Sequence, residues 1–223
     1  NYDKVNIHVE PVCYSADDRA ELAEIFDGNE ALIKKYTEKL ATTFESVEYA
    51  KNNFIRVVKV MKAFILNDSV KSFLCLNNKL PQENKGLFDI KLLEDFADAL
   101  IKLYGIKGLK GKELLYSINS EDYDAKRAEF IQRLSKGEKL FVISSYNTVG
   151  AGQNLQYKAP GNAAIVAVND YDRGDMEKDF DCIYLEKPTN LLVNVDSKKG
   201  IEAEDLIRFV YQMEFLMERG EVS

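Results

Sequence analysis

Along the first third of the chain, apolar residues recur at the spacing of helices. Glu30 to Phe44 and Val47 to Leu66 each read as one amphipathic helix, the second with Phe54, Val57, Val58, Met61, Phe64 and Ile65 on one side. Ahead of them, Ser15 and Asp17 stand where a cap is needed for a shorter helix carrying Leu22, Ile25 and Phe26, which Asp27 and Gly28 then break. Lys4 to Val9 alternates at period two before Pro11 and predicts a short edge strand. Beyond Leu66 the pattern changes. Short apolar runs rich in branched residues, Ser69 to Leu76, Glu113 to Asn119, Lys139 to Ile143, Ala163 to Val168 and Phe180 to Asn190, predict strands, and Leu191 to Val195 closes the sheet. Between and after them, Leu87 to Tyr104, Ser120 to Ser135 and Ile201 to Met217 predict helices. Strands alternating with helices of this length imply βαβ units and a mainly parallel sheet. The expected class is therefore α/β, with a helical N-terminal subdomain over residues 1–68 packed on a sheet-containing lobe over residues 69–223.

The segment Lys139 to Tyr157, KLFVISSYNTVGAGQNLQY, stands out because an apolar strand opens into a loop of Ser, Asn, Thr and Gly. In open α/β sheets ligands sit outside the carboxyl ends of the strands, and this loop offers hydroxyls, amides and backbone N–H groups at such an end. Gly150 and Gly152 let the backbone approach a ligand closely. The order of elements, a strand, a helix containing Lys126 and Arg127, the turn "KGEK", an apolar strand and "SSYNTVGAGQNLQ", resembles the second RecA-like lobe of superfamily 2 helicases and translocases. The loop corresponds to motif V of that family, the strand Ser69 to Leu76 to the start of motif IV, and Phe180 to Asn190 to the strand that follows motif V. The resemblance runs from about Lys71 to Val195.

What the resemblance implies is a RecA-like three-layer sandwich. Ser144, Ser145, Tyr146 and Asn147 would face a nucleic-acid backbone, bonding phosphate or sugar without reading sequence. Gly150, Gly152, Gln153 and Asn154 would face a nucleotide held between two lobes, their backbone N–H groups available to an anion. The partners implied are the N-terminal RecA-like lobe of the same polypeptide and DNA or RNA. ATP and Mg2+ would be bound only together with that partner lobe.

Composition trims the alternatives. There is a single histidine, His8, so Ser-His-Asp, Cys-His and multi-histidine metal schemes lack their parts. "GLKGKE", Gly108 to Glu113, has neither the spacing nor the hydroxyl of a phosphate-binding Walker loop. No catalytic residue and no metal site is assigned, and the isolated chain is not expected to hydrolyse ATP. Gln212 to Arg219 does not carry the arginine motif VI of the family; it reads as an amphipathic helix. The net charge of −7 is the wrong sign for a stand-alone module held by phosphate contacts, and Lys107, Lys110 and Lys112 read as a solvated loop. Acidic residues from Asp170 to Asp179 lack the glycine and terminal glutamate of a calcium loop. Cys13, Cys75 and Cys182 lie far apart and read as buried thiols. No apolar run reaches membrane-spanning length and no signal pattern opens the chain, so a cytoplasmic protein with no membrane partner is expected.

Two other readings compete with the motor lobe. One is a non-catalytic α/β interaction module that keeps the lobe's shape, favoured by the acidic charge. The other is a dinucleotide-binding enzyme, disfavoured because Gly150 follows its strand too late for a Gly-x-Gly-x-x-Gly turn.

Overall fold

The computed structural model describes residues 8–15, 17–45, 47–78, 80–81, 88–119, 121, 123–146, 148–149, 155–161, 177–186 and 211, and the structural statements that follow concern these. Two compact units divide the chain, Asn1–Leu185 and Glu186–Ser223. In the second unit Glu186 and Tyr211 are described, and Tyr211 is helical. The rest of the expected helix Ile201 to Met217 and the expected strands Ala163 to Val168 and Leu191 to Val195 lie outside the described residues.

The first unit opens with three helices. In α1 (Asp18–Ile25) the Asp17 carboxylate accepts from the N–H groups of Arg19 and Ala20, satisfying donors that have no partner inside the helix. Asn29 does the same for α2 (Glu30–Phe44) by accepting from Leu32. α3 (Glu48–Leu66) follows, with the apolar positions expected from its sequence buried. The edge strand expected over Lys4 to Val9 is not seen where it is described. His8 and Val9 are exposed and belong to no strand, and the His8 ring meets Glu10 at 2.6 Å.

The sheet then forms from β1 (Ser72–Asn77), β2 (Leu115–Ser117), β3 (Leu140–Ser145) and a last strand, Cys182–Leu185. Between β3 and that strand lies a short antiparallel pair, β4 (Tyr157–Lys158) with β5 (Glu177–Lys178), so the last strand is β6. All pairings in the four-stranded sheet are parallel, in the order β2-β3-β1-β6. Helix α4 (Ile90–Leu103) connects β1 to β2, ending in a short turn of helix, α5 (Gly111–Leu114), and α6 (Tyr123–Ser135) connects β2 to β3. α5 replaces the first part of the strand expected from Glu113. It is pinned to α4 because the Gly111 N–H donates to Asp98 at 2.6 Å, and a Cβ at Gly111 would lie 2.5 Å from the Glu94 carbonyl oxygen.

Every residue of β1 and β3 is buried, as strands covered on both faces must be. Alternation sorts their side chains into two cores. Phe73, Cys75, Phe141 and Ile143 join α1 to α5 on one face, while Leu74, Leu76, Leu140 and Val142 join Phe130 and Leu134 of α6, with Leu155 and Tyr157, on the other. The result is three layers, and the helical front segment shares one core with the sheet. Aromatic rings run through that larger core: Phe26 stacks on Tyr36 at 4.9 Å, and Phe96 lies 4.1 Å from Tyr36 and 5.5 Å from Phe54. At its sheet side Phe73 stacks on Phe141 at 4.8 Å. Such pairs add about 0.5–1.5 kcal/mol each beyond area burial. Cys75 is buried in β1 and Cys182 half-buried in β6, but Cys13 is exposed, contrary to the expectation of a third buried thiol; all three are free. Among the described residues no helix is long and apolar enough to cross a membrane.

Candidate functional site at the carboxyl ends of β1 and β3

Chain connectivity singles out one place on the sheet. Leaving β1, the chain passes to α4 on the face of the larger core; leaving β3, it reaches Leu155 and Tyr157 on the opposite face. Yet β1 and β3 are neighbours, and their ends are in register, Leu76 against Ser144 and Asn77 against Ser145. Neighbouring parallel strands whose outgoing connections part to opposite faces leave a crevice between their carboxyl ends.

One lip of this crevice is made by β1 and α3. Asn53 and Asn77, buried to 7% and 1% exposure, exchange amide hydrogen bonds: Asn53 Nδ2 donates to Asn77 Oδ1 at 3.2 Å, and Asn77 Nδ2 donates to Asn53 Oδ1 at 3.1 Å. Asn77 Oδ1 also accepts from the Asn78 N–H at 2.7 Å. Asn78 Nδ2 donates in turn to the Tyr49 hydroxyl at 3.2 Å. Tyr49 and Asn53 lie four residues apart and so share a face of α3. Two polar rungs therefore fasten the first turns of α3 to the end of β1.

The other lip is the end of β3, where the sequence reading needs correcting. Ser144 and Ser145, expected in the loop, are the last two residues of the strand, because pairing with β1 continues through both. Ser144 is fully buried and its hydroxyl donates to the Ile118 carbonyl at 3.3 Å, so it faces the interior and not a ligand. Ser145 organises the exit: its Oγ lies 2.9 Å from Thr148 Oγ1 and accepts from the Thr148 N–H at 3.2 Å, while its carbonyl accepts from the N–H groups of Thr148 and Val149 at 3.0 Å. Tyr146 is half-buried and packs against the α6-side core. Asn147, Gly150, Gly152, Gln153 and Asn154 lie outside the described residues.

The groups named on the two lips are amides, hydroxyls and a phenol, and the residue that follows Leu185, the strand partner of Leu76, is the buried Glu186. Amides and hydroxyls bond phosphate and sugar oxygens and have little to offer a metal. Among the described residues no group of three or more His, Cys, Asp or Glu side chains is placed to hold a metal ion. Sequence reasoning found the β3 lip through its polar loop but assigned no role to Tyr49, Asn53, Asn77 or Asn78. The signal available was two amide-bearing pairs, Asn52-Asn53 inside an apolar helical face and Asn77-Asn78 at the end of an apolar strand.

The opposite, amino edge of β1 carries an ionic network. Asp181 Oδ2 accepts from the N–H groups of Lys71 and Ser72 at 2.9 and 3.0 Å and from Ser72 Oγ at 3.1 Å, and its carboxylate pairs with Lys178. Ser72 Oγ lies 2.9 Å from the Tyr157 hydroxyl and accepts from the Asp181 N–H at 2.9 Å. Burial alone would raise the Asp181 pKa, but Lys178 and the two backbone donors outweigh it and hold the carboxyl below its ordinary value. Tyr157 is shifted upward, chiefly by burial. With Ser72 fully buried and Tyr157 at 2% exposure, this network closes the sheet and offers no entry to a substrate. Set beside known proteins, the chain matches no protein-family model and no curated protein.

Proposed function

We propose that this chain is the second RecA-like lobe of a superfamily 2 helicase or translocase, contributing backbone contacts to DNA or RNA and one wall of a nucleotide site completed by a first lobe in the same polypeptide. The observation that carries the reading is the parallel register that sets the carboxyl ends of β1 and β3 beside each other. The resemblance assigns the strand Ser69 to Leu76 to the start of motif IV and the loop after β3 to motif V, two stretches more than sixty residues apart in sequence, and the parallel pairing sets the ends of β1 and β3 side by side, Asn77 against Ser145. The three-layer α/β arrangement with a parallel sheet is compatible with such a lobe.

In this reading the amides and hydroxyls on the two lips bond the sugar-phosphate backbone, which positions a strand without reading its bases. Gly150, Gly152, Gln153 and Asn154 would turn toward the nucleotide phosphates or ribose. ATP and Mg2+ supply the phosphoryl chemistry when bound with the first lobe. This chain's part is to hold the strand and to link its position to the nucleotide through one continuous loop.

ATP hydrolysis measured on the chain and on the polypeptide carrying both lobes, each with and without single- and double-stranded DNA and RNA, tests the proposal. Hydrolysis only in the two-lobed protein, stimulated by nucleic acid, is the expected result. Hydrolysis by the chain alone would refute it, and inactivity of both would favour the non-catalytic interaction module.

A further inference from the structure

The segment ahead of α1 belongs to no helix or strand, yet it is held close to the protein. Val12 and Tyr14 are half-buried against the larger core while Pro11, Cys13 and Ser15 are exposed, so one side of the segment lies on the helices. Its backbone is held by an ion pair between α1 and α3. Glu21 of α1 is 3% exposed; its Oε1 accepts from the Ser15 N–H at 2.5 Å and its Oε2 from Lys59 Nζ of α3 at 2.9 Å. The same ammonium donates to the Cys13 carbonyl at 3.1 Å and to Glu24 Oε2 at 2.9 Å. Acceptor and donor for the segment thus come from two opposite charges that hold each other. A further tether, the Tyr14 hydroxyl donating to Asp18 Oδ1 at 2.5 Å, sits beside Lys51 of α3, which pairs with Asp18 and Glu48. A carboxylate buried as Glu21 is needs a matching charge and filled lone pairs, and the segment and Lys59 supply both.

We infer that residues 12–15 form a strap with the Glu21 and Lys59 pair as its clasp, closed while both are charged and opened by protonation of Glu21 with α1 and α3 still folded. The inference does not depend on the motor reading. Burial would raise the Glu21 pKa, but the Ser15 N–H and Lys59 outweigh it and hold the carboxyl below its ordinary value. Burial would lower Lys59, but Glu24 and Glu21 outweigh it and keep the ammonium charged. Tyr14, which feels Asp18, Glu48 and Glu21, is shifted upward, chiefly by burial, and stays neutral. The clasp therefore holds above the unfolded glutamate value of about 4.3 and is lost as pH falls through the folded value. Once Glu21 is neutral, Glu24, with 64% of its side chain exposed, draws the ammonium outward and away from the Cys13 carbonyl. The strap decides whether the exposed residues 8–11 are carried along the helices or are free of them.

The test is the mobility of a nitroxide label on the exposed Cys13, read by electron paramagnetic resonance on the whole chain in a Cys182→Ala background, with Cys75 buried. Far-UV circular dichroism follows the helices in parallel. The label should be immobile at neutral pH and become mobile below about pH 4, before the helical signal is lost. Glu21→Gln, neutral at every pH, should be mobile at neutral pH with native helix content and show no step. Lys59→Met leaves the carboxyl buried without its counter-charge, so the step should move up by about one pH unit or more, while Lys59→Arg should keep it near the native position. A mobility step that coincides with loss of the helices, or a label still immobile in folded Glu21→Gln, would overturn the strap. Should Glu21→Gln not fold, Lys59→Met decides: a step at the native pH or lower overturns the inference as well.

Discussion

β1 is finished differently at its two ends. At the amino end a carboxylate, a lysine, a serine and a tyrosine are drawn into one closed network, Asp181 accepting from Lys71, Ser72 and Lys178 while Ser72 meets Tyr157. At the carboxyl end the connections are neutral, Asn53 to Asn77 and Ser145 to Thr148, and a tyrosine remains half in solvent. The polar groups named at the two ends are hydrogen-bonded, but beside the amide lip the side-chain oxygen of Asn52 is buried with no hydrogen-bond partner. The ionic network uses up its donors and acceptors on each other and ties β1, the β4 and β5 pair and the start of β6 into one body. The amide lip holds its groups in place with neutral hydrogen bonds, and Tyr49 beside it stays 48% exposed. A strand end closed by ion pairs answers to pH, and one closed by amides and hydroxyls does not.

The comparison is sharpest under substitution at Asp181. Replacing it by Ala removes the acceptor of three hydrogen bonds and leaves the Lys178 ammonium without its partner, and urea unfolding at neutral pH should show a loss of about 2–4 kcal/mol. Because the folded-state pKa is lowered, the stabilisation is present above the unfolded value near 3.9 and is lost as pH falls through the folded value. The native chain should therefore lose stability steeply below about pH 4, and Asp181→Ala should show a shallower acid limb. Equal slopes would mean that the network contributes nothing beyond packing.

Next in size is Asn77→Ala, which leaves the Asn53 amide buried and unpaired at an expected cost of about 1–3 kcal/mol, with no dependence on pH since neither amide titrates. The double change Asn53→Leu with Asn77→Leu should cost less than Asn77→Ala alone, because the Asn53 amide is no longer left buried and unpaired, although in both variants the Asn78 N–H loses its acceptor. A double variant less stable than Asn77→Ala would invert the contrast drawn between the two ends. Tyr157→Phe removes one hydroxyl from the amino network and should cost about 0.5–1.5 kcal/mol without changing binding. Smallest in stability is Ser145→Ala, expected at about 1 kcal/mol or less for its neutral hydrogen bonds, but it should weaken binding where Tyr157→Phe does not.

Most of the local architecture is written in particular residues. Asp17 and Asn29 mark helix starts because short oxygen-bearing side chains satisfy the first N–H groups, and the bounds of α2 coincide with the apolar period from Glu30 to Phe44. Gly105 and Gly137 mark helix ends, both at positive φ, where a side chain would be strained. Against this, Ser144 and Ser145 look like loop residues by propensity and are strand residues by pairing, since the ladder to β1 extends to Asn77 whatever the hydroxyls prefer. The stretch Gly111–Leu114 looks like loop running into strand and is a helical turn, because contact with α4 decides it.

The site divides along the same line. Sequence alone pointed to a polar loop after an apolar strand and so to one lip, because hydroxyl and glycine content at a strand end is a local property. It could not show that Ser144 points inward, that Asn77 faces Ser145, or that α3 reaches from the front of the chain to hold the second lip, since each depends on strand order, register and packing between segments far apart in sequence. What the sequence by itself determined was the alternation of helices and strands, a consequence of periodicity and capping that each segment carries alone. The order β2-β3-β1-β6, and with it the crevice between β1 and β3, was decided only in the tertiary structure, where burying both faces of a parallel sheet chooses which strands become neighbours.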